Sequence, residues 1–126
     1  MAVTFKDLLH GHLISDVPIN TQQKMEILKA RLNKLQDIYK KPLIVTSGYR
    51  TAEDQQRINP RHPHSKHLTG QAADISDVTG EMKHWLLSNL DVLEECDLYC
   101  EAFEATPTWV HYQTEPPKSG KRIFNP

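Results

Sequence analysis

The strongest periodic signal lies between residues 20 and 40. Met25, Leu28, Leu32, Leu35 and Tyr39 recur at spacings of three and four, with lysines, arginines and glutamines around them. That spacing gathers the apolar side chains on one stripe and predicts a core-facing helix running to about Lys40. Asn20 or Thr21 is placed to cap it, and Pro42 to end it. Leu43-Ile44-Val45-Thr46 is short, apolar and rich in β-branched residues, and reads as a buried strand. Thr51-Ala52-Glu53-Asp54 has the form of a capping box opening a short helix through Arg57 or Ile58. Ala72 to Ser76 reads as a strand and Asp77 to Gly80 as a turn. A second long helix is expected from about Glu81 to Leu93, with Met82, Trp85, Leu86, Leu90 and Leu93 on its apolar side. Leu98 to Glu104 and Trp109 to Gln113 then form an antiparallel hairpin.

Both ends are less regular. Residues 1–19 read as an irregular or briefly helical lead-in, with Phe5, Leu8 and Leu9 able to make one apolar turn. Residues 115–126 are proline-rich and basic, an extended tail that Ile123 and Phe124 pin to the body. No repeat or linker divides the chain. The expectation is one α+β domain over residues 1–126: a small antiparallel sheet, helices on one side, a cleft on the other.

Composition narrows the function. A chain of 126 residues is long enough for one real core. A net charge of −1 gives no electrostatic case for nucleic acid or an anionic membrane surface. No apolar run approaches a membrane span. Met1 to Asp7 lacks the basic flank and apolar core of a signal peptide. Cys96 and Cys100, separated by three residues, have no second pair with which to build a zinc cluster, and are expected to be reduced and partly buried.

The chemistry concentrates in Ser65-Lys66-His67-Leu68-Thr69-Gly70-Gln71-Ala72-Ala73-Asp74. His67 and Asp74 are good zinc ligands, and three protein ligands with one open position make a catalytic zinc site. Gly70 permits a tight turn, and Ala72 and Ala73 fit a crowded wall. His111, on the Trp109–Gln113 strand, is the candidate third ligand. Arg50, at the end of a strand, suits forked recognition of a carboxylate, although such a residue is commonly a surface ion-pair partner. His62 and His64 lie in a basic loop leading into the motif. His10 and His12 flank Gly11, and are read as exposed polar residues rather than ligands.

Ser65-x-His67-x-x-Gly70-x-Ala72-x-Asp74 resembles the metal motif of the zinc D-alanyl-D-alanine carboxypeptidases and L-alanyl-D-glutamate endopeptidases. These peptidoglycan peptidases share their fold with the Hedgehog signalling domain. Ser47-Gly48-Tyr49-Arg50 upstream and Trp109-x-His111 downstream match in order, so the resemblance covers roughly residues 40 to 115. It implies one Zn2+ held by His67, Asp74 and His111, and hydrolysis of an amide bond in peptidoglycan peptide stems. It also implies that Arg50 anchors substrate, that Ser65 positions substrate or the motif loop, and that Tyr49 and Trp109 are packing residues. A wall target without a signal peptide implies action after release from the cell, or as a virion component, as in a phage lysis enzyme. The alternative is a zinc domain that binds cell wall or a protein partner without cutting, as its Hedgehog relatives suggest. A purely structural zinc domain is a third possibility.

One departure from the pattern matters. Many relatives carry an acid three residues before the last ligand, and here that position is Thr108. Hedgehog domains carry a glutamate on the preceding strand, where this chain offers Glu101 and Glu104. Strand neighbours alternate faces, so the two cannot both face the metal. A five-residue loop pairs Phe103 with Trp109 and sets Glu101 across from His111. A four-residue loop brings Glu104 to that face instead. The first stacks two aromatics and is preferred, with Glu101 as general base and Glu104 second.

Overall fold

The computed structural model describes residues 2–126. Five strands, β1 (Val45–Ser47), β2 (Ala72–Ser76), β3 (Tyr99–Glu101), β4 (Trp109–Gln113) and β5 (Ile123–Phe124), form one sheet in the order β1-β2-β4-β3-β5. The first four pair antiparallel; β5 joins β3 in parallel. The helices are α1 (Phe5–Leu9), α2 (Ile19–Tyr39), α3 (Ala52–Ile58), α4 (Glu81–Leu87) and α5 (Asp91–Cys96). The architecture is the expected α+β arrangement, and β5 is the one parallel addition.

Alternation along the strands sorts the two faces of the sheet. Ala73 and Ile75 of β2, Val110 and Tyr112 of β4 and Cys100 of β3 enter the core. They meet Met25, Leu28, Leu32 and Leu35 of α2, with Met82, Leu86, Val92 and Leu93 of α4 and α5. Asp74, Glu101, Trp109, His111 and Gln113 line the cleft on the other face. Cys96 and Cys100 are free thiols and fully buried, and burial pushes the Cys100 thiol up to about 12.

The helix ends differ from expectation. Pro18 stands at the start of α2, so neither Asn20 nor Thr21 caps it. Its last turn closes at Lys40, whose left-handed backbone (φ 66°) sends its N–H back to Gln36, before Pro42 is reached. The run 43–46 is not a buried strand. Leu43 is held outside the ladder by the Gln36 side chain, Ile44 is 64% exposed, and the strand begins at Val45 on the sheet edge.

The expected helix 81–93 is two helices. The Trp85 carbonyl takes the Ser88 N–H and the Asn89 side-chain amide, a local bonding pattern that competes with helix continuation. Leu90 is therefore exposed rather than on the apolar side. The expected strand 98–104 stops at Glu101, and Phe103–Ala105 forms a 3₁₀ turn, so Phe103 and Trp109 do not pair.

The termini are more built than their composition suggests. Thr4 and Asp7 form a capping box on α1, and Leu8 is buried. His12 is not an exposed residue: its Nε2 lies 2.6 Å from Asp54 at the start of α3, tying the lead-in to the Thr51–Asp54 capping box.

Candidate metal centre

Strand register assembles the centre of the site. Ser47 lies opposite Asp74, and Asp74 opposite His111. The β3–β4 ladder pairs Tyr99 with Gln113 and Cys100 with Tyr112; continued by one residue, it sets Glu101 opposite His111. Glu101 in turn pairs with Phe124. Ser47, Asp74, His111, Glu101 and Phe124 thus form one transverse row, one residue from each strand.

His67 enters from above the row, on the 3₁₀ turn Lys66–Thr69. The Ser65 hydroxyl caps that turn by accepting from the His67 N–H at 3.2 Å. Gly70 closes it with φ 72°, where a Cβ would also come within 2.5 Å of the Met25 side chain. Gly48 is equally constrained: a Cβ there would run into the Leu8 carbonyl oxygen, which accepts the Tyr49 N–H at 2.7 Å. The carbonyl of Gly48 receives His67 Nδ1 at 2.8 Å.

That last contact decides a tautomer. A carbonyl only accepts, so Nδ1 of His67 carries the hydrogen and Nε2 presents a lone pair. Nε2 lies 3.3 Å from Asp74 Oδ1. His111 Nδ1 lies 2.9 Å from the same oxygen, while its Nε2 faces Gln113 Oε1 at 2.9 Å. Asp74 Oδ2 is held by Arg50 at 3.4 Å. Lone pairs from two imidazoles and a carboxylate therefore converge, and all three donor atoms lie within 4.8 Å of one another. Such convergence is favourable only around a positive charge, a proton or a metal ion. The edge of a tetrahedral zinc site with arms of 2.0–2.1 Å is about 3.3 Å, the separation of His67 Nε2 from Asp74 Oδ1; the His111 contact is somewhat shorter. The donor set fits zinc.

The electrostatics of the two histidines differ. Burial pulls His67 below its ordinary value, which favours the neutral, ligating form. Burial acts the same way on His111, but the Asp74 carboxylate outweighs it and raises the net value. Asp74 is lowered well beneath the usual carboxylate range: burial opposes ionisation, and the adjoining His111 and His67 rings outweigh it. Burial raises Glu101, whose Oε2 stands 3.8 Å from His111 Nδ1.

The site is the floor of a cleft of about 980 Å³. Arg50, His62, His64, Ser65 and Trp109 reach it, as do tail residues including Lys118, Ile123 and Phe124. Trp109 is therefore a cleft residue and not one of the side chains packed on the core, contrary to the packing role the resemblance implies. Tyr49 packs on the core and edges against His12, with ring centroids 5.4 Å apart. Glu104 is exposed in the 3₁₀ turn. Arg50 is braced by Ser47 Oγ at 3.0 Å and Gln55 Oε1 at 2.9 Å. Gln55 and Gln113 are not among the candidate residues of the sequence, and Gly48 enters there only within the Ser47-Gly48-Tyr49-Arg50 motif, with no role of its own. Strand alternation does place Gln113 on the His111 face; nothing local marks Gln55.

A buried two-histidine, one-aspartate centre, open to a cleft on a helix-backed sheet, is a site of the kind that can hold a metal ion. The peptidase M15 family model matches residues 5–112, and the chain belongs to that family of zinc peptidases related to D-alanyl-D-alanine carboxypeptidases. No curated protein and no solved structure matches it.

Proposed function

We propose that the protein hydrolyses an amide bond in the peptide stems of bacterial peptidoglycan, using one zinc ion held by His67, Asp74 and His111. The observation that carries this reading is the placement of Glu101 beside His111 in the same row as Asp74, on the floor of an open cleft. Zinc in such a site supplies Lewis acidity toward a carbonyl oxygen and makes water easier to deprotonate. Glu101 takes the proton of the attacking water on its carboxylate and delivers it to the leaving nitrogen. Its raised pKa suits a group that must both accept and return a proton.

Arg50 uses Nε and one hydrogen on each terminal nitrogen for Ser47, Gln55 and Asp74. A guanidinium has five N–H groups, so two remain for a substrate carboxylate or carbonyl. Ser65 holds the motif turn, and His62 and His64 flank the entrance for substrate. A wall substrate places the action outside the cytoplasm, after release or as part of a virion.

The competing reading is a zinc domain that binds cell wall or a protein partner without cutting it. Thr108, standing where many relatives carry their acid, is what favours it. Glu101 answers that objection, since the sheet brings a carboxylate to the ligands by another route. The test is incubation of the zinc-loaded protein with purified peptidoglycan, followed by mass spectrometry of released fragments. New amine ends are expected; retention on the wall with no fragments would leave only the binding reading.

A further inference from the structure

We propose that Gln113 is a positioning residue that selects the ligating nitrogen of His111, an inference resting on the zinc-site reading above. The argument starts from the backbone. Gln113 is 5% exposed, and its Nε2 donates to the Glu115 carbonyl at 2.8 Å. A carbonyl cannot donate, so the amide has one allowed orientation, with Oε1 turned to His111. An amide oxygen cannot donate either, so His111 Nε2, 2.9 Å away, must carry a hydrogen. Nδ1 is then the atom left for the metal, and it is the one facing Asp74 Oδ1. One main-chain carbonyl thus fixes a side-chain amide, which fixes a tautomer, which fixes a ligand atom.

The carbonyl is itself anchored. Thr114 donates its N–H to the Gln71 carbonyl at 3.0 Å, and the Glu115 side chain meets Lys66 at 3.1 Å. Gln71 and Lys66 belong to the motif that carries His67. The chain just after β4 is therefore tied to the loop of the first ligand while it orients the third. Both histidines end with their outer nitrogen on a fixed oxygen, Gly48 O for His67 and Gln113 Oε1 for His111. Gln113 lies just beyond the matched family segment.

The test uses the full chain with zinc alone. Zinc affinity is measured by competition with a chromophoric chelator for wild type, Gln113→Leu and Gln113→Glu. Leucine keeps bulk and removes the acceptor; glutamate keeps an acceptor. Loss of an outer partner of a metal-bound histidine typically costs 10- to 100-fold in affinity. Gln113→Leu is expected to weaken zinc by about that factor, and Gln113→Glu, which keeps the acceptor toward His111 but loses the N–H toward Glu115, to fall between leucine and wild type. Equal affinity in the leucine variant would overturn the proposal. Nitrogen-resolved NMR of the His111 ring in zinc-loaded wild type needs no variant to fold. A hydrogen on Nε2 is expected, and one on Nδ1 would overturn the proposal. A wild-type protein that binds no zinc would instead defeat the zinc-site reading itself.

Discussion

A half-buried carboxylate beside the His111 imidazole has a different environment from one in a solvated turn, and Glu101 and Glu104 show the contrast three residues apart. Glu101→Gln should lower turnover of peptidoglycan fragments at least about 100-fold while zinc content stays at one ion per chain. Glu104→Gln should stay within about two-fold of wild type, since surface changes away from a site are usually small. Steady-state kinetics with metal analysis separates the two. Arg50→Lys should also slow turnover with zinc retained, because lysine lacks the fork that spans Ser47, Gln55, Asp74 and a ligand at once. Unfolding of that variant would make Arg50 structural. Gly48→Ala drives a methyl into the Leu8 carbonyl and should cost about 1–3 kcal/mol in chemical denaturation. The clustering of His67, Asp74 and His111 was legible in the sequence because metal-binding chemistry needs particular residue types at particular spacings. The glycine contact was not, because its partner lies forty residues away in a helix whose docking no local pattern announces.

Individual elements reward local signals and punish long-range ones. The box at Thr51 and Asp54 was readable because both halves of it lie within four residues. The break between α4 and α5 was hidden, since Ser88 and Asn89 interrupt a periodicity that otherwise continues to Leu93. β3 ends sooner than expected, since Ala102 and Glu104 do not favour a strand and Phe103 sits in a 3₁₀ turn packed on the core rather than paired with Trp109. The register survived that error, because it depends on where the ladder starts rather than on the turn. The α3 cap carries a pH signature. Burial works against the Asp54 charge, but bonds from Thr51, His12 and Arg57 prevail and bring its pKa from 3.8 to about 2. A carboxylate lowered on folding stabilises the fold above its unfolded pKa and loses that contribution as pH falls through the folded one. Urea midpoints measured from pH 5 down to pH 2 should therefore fall faster for wild type than for Asp54→Asn. Parallel curves would mean that the pairing with His12 and the cap adds nothing.

For the molecule as a whole, the class of fold and the cleft followed from the sequence, as did the apolar turn at Phe5, Leu8 and Leu9 and the pinning of the tail by Ile123 and Phe124; the tail's pairing as a strand did not. The lead-in supplies Leu8 to the core, and the tail supplies a fifth strand and part of the cleft wall. Each is also held by main-chain hydrogen bonds, from Tyr49 to Leu8 and from Cys100 and Ala102 to Arg122 and Phe124, for which side-chain patterns give no signal. Ligand binding to the folded state alone raises stability by mass action, so zinc at a thousand times its dissociation constant should add about 4 kcal/mol. Calorimetry should show a higher melting temperature with zinc than after chelation, and the gap should close in His67→Ala. The sheet's two outer strands have a further consequence for the protein in concentrated solution. β1 is three residues long with an irregular register, and β5 has two residues, closely followed by Pro126. Neither leaves a flat row of free amides long enough to template a strand from another molecule. Edge-to-edge aggregation, the usual hazard of an open sheet, is blocked by the shortness of its borders.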